Sequence, residues 1–209
     1  HFTRLKCSLM PYLYSEAAVV HTKGIPEMRA MMLEFPHDPT CAYLDRQYML
    51  GSALLVAPIF NDCGEVTFYV PAGRWTDLQS GRTYEGGKWY IESYDYFGLP
   101  LLVRPGTLLA RNEAAADVIY DYTSSLTLDL YELADGQTAS CSIVKIHETT
   151  GLVLSAVRTG STITLKLNGT QVNTIHLHGC RAIHAENAVI ENGSLIPAAG
   201  ADTIVCTVE

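Results

Sequence analysis

From Gly51 to Glu209 turn signals divide the chain into short β-rich runs, and this punctuation constrains the fold more than any other feature. "SALLVAPIF", "EVTFYVP", "GKWYIES" and "LPLLVRPGTLLA" are separated by "NDCG", "AGRW" and "EGG". Beyond Asp117 the runs crowd together: "DVIYDY", "SLTLDLYEL", "TASCSIVKI", "LVLSAVR", "TITLKL", "NTIHLHG", "AVIENG" and "DTIVCTVE". Turn signals spaced roughly every 8 to 12 residues indicate β-sandwiches. Residues Thr162 to Leu167 alternate strictly, as an antiparallel strand with one exposed face must. Asn168-Gly169 and Asn192-Gly193 fit tight turns. Both also match the glycosylation acceptor pattern, but the turn reading is preferred. "ARNEAAAD", Ala110 to Asp117, is the most polar break and marks a boundary between two β-modules.

The first 50 residues follow another grammar. Leu5, Leu9, Tyr12, Leu13, Ala17 and Val20 recur at helical spacing. Pro11 is expected to bend this helix or to begin a second segment, and Gly24 to close it. "PEMRAMMLEF", Pro26 to Phe35, reads as a strand buried on both faces, the mark of a parallel sheet. "CAYLDRQYML" reads as a short helix ended by Gly51. One helix–strand–helix repeat cannot fold alone, so sheet partners are expected upstream of His1. An isolated chain would then expose unpaired edges at Pro26 to Phe35, and removing residues 1–50 is expected to improve its solubility.

Composition narrows the partners. A net charge of −8 without a Lys/Arg-rich block argues against nucleic acid and against an anionic membrane surface. No apolar run approaches the roughly 20 residues of a membrane helix. The opening "HFTRLKCSLMPYLY" lacks the parts of a signal peptide. Six cysteines stand singly, without a Cys-x-x-Cys pair, which fits free, mostly buried thiols in a reducing, cytoplasmic setting.

Few residues offer chemistry. Glu34 and Asp38 flank the end of the proposed buried strand, where a barrel enzyme places catalytic groups. "FPHDP" is equally turn chemistry, and a structural role is preferred for both. Asp45 and Arg46 read as solvated or packing pairs. His21, His37, His147, His176, His178 and His184 show no metal pattern. His176 and His178 share one strand face, but no third ligand is marked. Gly-x-Ser-x-Gly, P-loop and dinucleotide patterns are absent. Trp75, Tyr84, Trp89, Tyr90, Tyr94, Tyr96 and Phe97 form an aromatic set that serves either as sandwich core or as a platform for sugar rings.

Specific blocks then suggest a family. "LKCSLMPYLYSEA", "GIPEMRAMMLEFPHDP", "LDRQYMLGSALLVAPIF", "VTFYVPAGRWTDLQSG" and "LPLLVRPGTLLA" resemble the C-terminal part of glycoside hydrolase family 31. The tail from "DYTSSLTLDLYELADGQTASCSIV" onward is more similar to bacterial-type α-xylosidases than to the α-glucosidases of that family. The resemblance implies a mainly β chain: two C-terminal β-sandwich domains preceded by the last helix–strand–helix portion of a (β/α)8 barrel. Residues 1–50 would close the barrel, 51–112 form the proximal sandwich and 113–209 the distal one. It further implies a retaining α-glycosidase acting on α-xylosides. Its two catalytic aspartates would lie on earlier barrel strands, because their motifs are absent here. No catalytic, cofactor-binding or metal-binding residue is assigned within the chain, no cofactor is expected, and this chain alone is expected to be inactive. Homo-oligomerisation is an open expectation. The competing class is a non-catalytic carbohydrate-binding or structural β-module, and an α-glucosidase of the same family is the nearer alternative.

Overall fold

The computed structural model describes all residues, His1 to Glu209. They divide into two compact units, residues 23–105 and residues 1–22 with 106–209. The chain therefore enters one unit, leaves it for the other and returns. This division differs from the three consecutive segments expected above.

The helix α1 (Phe2–Lys23) belongs with the C-terminal β-strands. Pro11 lies inside it, so the helix is continuous and no second segment begins there. The partners that permit this come from far along the chain. Proline has no N–H to give to the carbonyl one turn earlier. The Tyr120 hydroxyl donates to that carbonyl, on Cys7, at 2.7 Å, and the Asn112 N–H donates to the Ser8 carbonyl at 2.9 Å. Gly24, at φ +68°, then turns the chain in the left-handed region open to glycine.

Residues 23–105 form a sandwich of two antiparallel sheets. Its strands are β1 (Met28–Ala30), β2 (Tyr48–Leu50), β3 (Leu54–Val56), β4 (Glu65–Val70), β5 (Arg74–Asp77), β6 (Thr83–Glu85), β7 (Lys88–Ser93) and β8 (Leu101–Val103). The larger sheet runs β1-β2-β3-β8-β5-β6, and β4 pairs with β7. Met49, Leu55, Leu102 and Trp75 from the larger sheet share one core with Val66, Phe68 and Val70 of β4.

Two expectations fail in this unit. The parallel strand expected at Pro26 to Phe35 is only β1, paired antiparallel with β2 through Arg29↔Met49, followed by a helical turn α2 (Met31–Glu34). Met and Leu are good helix formers, and Met32 and Leu33 remain exposed, so this apolar run is not buried on both faces. The helix expected at Cys41 to Leu50 is a 3-10 turn, Pro39–Tyr43, followed by β2. Gln47 ties this segment to β4: its side chain donates to the Tyr69 carbonyl at 2.8 Å and accepts from the Tyr69 N–H at 2.7 Å. A local helical signal yields there to a long-range strand-like pairing.

The second unit is a sandwich of two five-stranded sheets. Its strands are β9 (Thr107–Arg111), β10 (Leu126–Tyr131), β11 (Thr138–Val144), β12 (Gly151–Thr159), β13 (Thr162–Lys166), β14 (Val172–His178), β15 (Ala182–Glu186), β16 (Ala188–Glu191), β17 (Ser194–Pro197) and β18 (Thr203–Val208). One sheet runs β16-β17-β14-β10-β9 and the other β11-β12-β13-β18-β15. Leu126, Leu128 and Leu130 meet Leu154, Ile163, Leu165 and Ile204 in a common core. β13 alternates as read from sequence, with Ile163 and Leu165 buried. Asn192 and Gly193, at φ +49° and +83°, make the two-residue turn between β16 and β17. α1 joins this unit through Met10 and Tyr14, and through the Ser15 hydroxyl, which accepts the Val144 N–H at 3.0 Å. The chain is mainly β, as expected.

Candidate functional site

Glu34 and Asp38 are both built into the framework. Glu34 ends α2, where one carboxylate oxygen accepts from Arg29 at 2.8 Å and the other from Arg104 at 3.0 Å. Arg104 also donates to the Ser52 carbonyl at 3.0 Å and lies over the Phe35 ring, 4.5 Å from its centroid. A carboxylate with both oxygens engaged by guanidinium groups is fixed in position, which suits a structural clasp. Asp38 caps the 3-10 turn by accepting the Thr40 N–H at 3.0 Å, and its other oxygen accepts the Tyr69 hydroxyl at 2.8 Å. Burial, with the Asp38 charge adding to it, pushes the neighbouring Cys41 thiol up to about 11. That thiol is protonated at neutral pH and is a poor nucleophile.

His176 and His178 share a face of β14 but serve different partners. His176 Nδ1 contacts the Ser194 hydroxyl at 2.8 Å. His178 Nε2 lies 3.1 Å from Asp129, and its ring stacks on Tyr131 with centroids 4.1 Å apart. Asp129 is buried and also receives Arg111. Burial alone would raise its pKa, but the His178 hydrogen bond and the Arg111 charge outweigh it and hold the carboxyl below its ordinary value. No three His, Cys, Asp or Glu side chains converge as a metal site would. All six cysteines are free; Cys7, Cys41 and Cys206 are buried and Cys63 is exposed.

The aromatic set divides between core and surface. Trp75 and Tyr84 are buried; the Trp75 indole donates to the Pro71 carbonyl at 2.9 Å, and Phe68 stacks on Tyr90. Trp89, Tyr96 and Phe97 face solvent. Trp89 borders a cleft of about 460 Å3 in residues 23–105, together with Tyr43 and Phe60. Those two lie outside the run singled out in the sequence, and only the fold brings them to Trp89. Tyr43 stands between Ala42 and Leu44, and Phe60 ends the apolar run Val56 to Ile59, so neither stood out as a surface aromatic.

Residues 24–109 match the family model for the glycosyl hydrolase family 31 C-terminal domain, and residues 121–208 that for the C-terminal domain of alpha-xylosidase YicI. The chain belongs to glycoside hydrolase family 31. The chain is 40% identical over 178 residues to the alpha-xylosidase XylQ of Lactiplantibacillus pentosus, matching 83% of its own length and 23% of that protein. It is 50% identical over 117 residues to an alpha-xylosidase of Emericella nidulans, 51% of this chain and 15% of that protein. A similar fold is seen in the cycloalternan-forming enzyme of Listeria monocytogenes, at 21% identity and a TM-score of 0.81, covering 99% of this chain and 24% of that one. The chain thus spans about a quarter, or less, of each of these three relatives. Family 31 homologues of this region include both α-xylosidases and α-glucosidases.

Proposed function

We propose that this chain is the C-terminal part of a retaining α-glycosidase, and specifically of an α-xylosidase that releases α-linked xylose from the non-reducing ends of xylo-oligosaccharides. One observation carries the finer reading: residues 121–208 match a C-terminal domain defined on an α-xylosidase, over the less distinctive half of the chain. The identities to two α-xylosidases support it. In this reading the nucleophile and the acid/base are aspartates of an upstream barrel, and the β-domains brace that barrel. A retaining mechanism needs two carboxyl groups roughly 5 to 5.5 Å apart across the scissile bond. Glu34 and Asp38, engaged by arginine, tyrosine and backbone, are framework groups in this scheme. Six free thiols suit a reducing, cytoplasmic location, which we propose with it.

The test is hydrolysis of aryl α-xyloside and aryl α-glucoside by the intact gene product and by this chain alone. The expected result is turnover by the intact protein with the xyloside preferred, and none by the chain. Preference for the glucoside would select the α-glucosidase reading, which the similarity to α-glucosidases also favours. Turnover by the chain alone would overturn the assignment of catalysis to upstream residues.

A further inference from the structure

The cleft bordered by Tyr43, Phe60 and Trp89 is not used by anything derived above. We infer that it binds a neutral oligosaccharide. Tyr43, Phe60 and Trp89 are 90%, 69% and 55% exposed, an unusual concentration of bare aromatic surface around one depression. Exposed apolar surface rimmed by polar groups marks a binding site. Here the rim is Asp45, Arg46 and Glu65, all exposed. Aromatic faces receive the C–H faces of pyranose rings, while a carboxylate accepts from sugar hydroxyls and a guanidinium donates to them. A volume of about 460 Å3 falls within the roughly 300 to 1,000 Å3 of small-ligand sites.

The walls are held in place before any ligand arrives. Gln47, which also lines the cleft, is engaged twice with the Tyr69 backbone and fixes the 43–47 segment against β4. Tyr69 in turn supports Trp89, with ring centroids 5.5 Å apart. Asn61 accepts the Glu65 N–H at 3.1 Å and donates to the Glu65 carbonyl at 2.6 Å, closing the loop beside Phe60. Such a frame lowers the entropic cost of binding. Two carboxylates and one guanidinium around aromatic rings, on a chain of net charge −8, do not suit an anionic ligand. The choice of a sugar among neutral polyols rests on the α-glycosidase reading.

The two tryptophans make the test direct, since Trp75 is fully buried and Trp89 is exposed. The 209-residue chain is titrated with maltotriose and with an α-1,6-xylosylated gluco-oligosaccharide while tryptophan emission and acrylamide quenching are followed. The expected result is a saturable blue shift with one of them and protection of Trp89 from quencher. Trp89→Ala should abolish the response. Binding followed by saturation-transfer NMR should weaken at least tenfold in Tyr43→Ala and several-fold in Asp45→Ala, and be partly kept in Trp89→Phe. Tyr43 is almost fully exposed, so that variant tests the site even if Trp89→Ala lowers stability. No saturable response to either sugar, or NMR binding undiminished in both alanine variants of the aromatics, would overturn the inference. Its fate is separable from that of the glycosidase reading. A hydrolytic intact protein whose isolated chain binds no sugar defeats this site alone, whereas sugar binding beside an inert intact protein defeats the other.

Discussion

Arg111 meets Asp129 on a single carboxylate oxygen, with Nε and Nη2 both 2.8 Å away, while the acid itself is 1% exposed. The other oxygen faces His178. A buried charge held this way is stabilising only while both signs persist. Asp129→Asn should cost the C-terminal unit about 3 kcal/mol, because it leaves the half-buried Arg111 with only the exposed Glu113, 3.1 Å away, as a counter-charge. The folded pKa of Asp129 is depressed, so its contribution is present above the ordinary value of 3.8 and is lost as pH falls below it. Urea unfolding of wild type and variant at pH 7 and pH 3 checks this. The gap between them should narrow in acid, and an unchanged gap would sink the idea.

Glu34 offers a test between framework and chemistry. Its two arginine contacts make Glu34→Gln destabilising by about 2 kcal/mol, since two guanidinium groups lose a charged acceptor. Thermal unfolding of the variant should show this loss. In the intact protein, Glu34→Gln assayed well below its melting temperature should keep most of the wild-type kcat. A stable variant with activity reduced a thousandfold would instead make Glu34 catalytic.

Thiol reactivity should single out Cys63. It is the exposed cysteine, whereas burial pushes the thiols of Cys41 and Cys206 up to about 11. Thiolate, not thiol, attacks disulfide reagents. Under native conditions at pH 7.5 a chromogenic disulfide should react rapidly with one equivalent of thiol. Cys63→Ser should remove that phase, and denaturant should expose the remaining five.

Deleting α1 should harm the chain, not help it. The sequence reading favoured removal of residues 1–50 because of the apolar run at Pro26 to Phe35. Yet Ser15 accepts from Val144, the Tyr14 hydroxyl from the His147 N–H at 2.9 Å, and Cys7 from Tyr120, all within one compact unit. A chain beginning at Gly24 should melt several degrees lower in its C-terminal unit by circular dichroism. An equal or higher midpoint would mean that the helix adds nothing.

What was legible in the sequence was local. Period-two alternation in β13 and the Asn192-Gly193 turn depend on neighbours in the chain, and both are where the pattern placed them. The helix was readable from spacing, but not its continuity through Pro11, which depends on a tyrosine more than 100 residues away. The misread segments, Pro26 to Phe35 and Cys41 to Leu50, are those whose form is set by distant pairing. Met49 faces Leu55 across β2 and β3, and Gln47 reaches Tyr69. The candidate cleft failed to appear for the same reason. Trp89 stood in a visible aromatic run, but Tyr43 and Phe60 become its neighbours only through the fold.

The return of the chain to its first unit has a consequence for how it is made. Residues 23–105 are contiguous, so that unit can close soon after Pro105 leaves the ribosome. α1 emerges earlier and must wait for strands made long afterwards. The wait ends late, because β18 lies inside its sheet between β13 and β15 and is synthesised after both. Its pairing of Ile163 with Cys206 and of Ala185 with the same residue joins the two sides of that sheet. A nascent chain stopped just short of Thr203 would carry a finished first sandwich and a second one in which β13 lacks one partner and β15 is cut off from its sheet. Ribosomal stalling or a premature stop codon there should therefore leave a half-folded product that cellular proteases can recognise, whatever the state of residues 23–105.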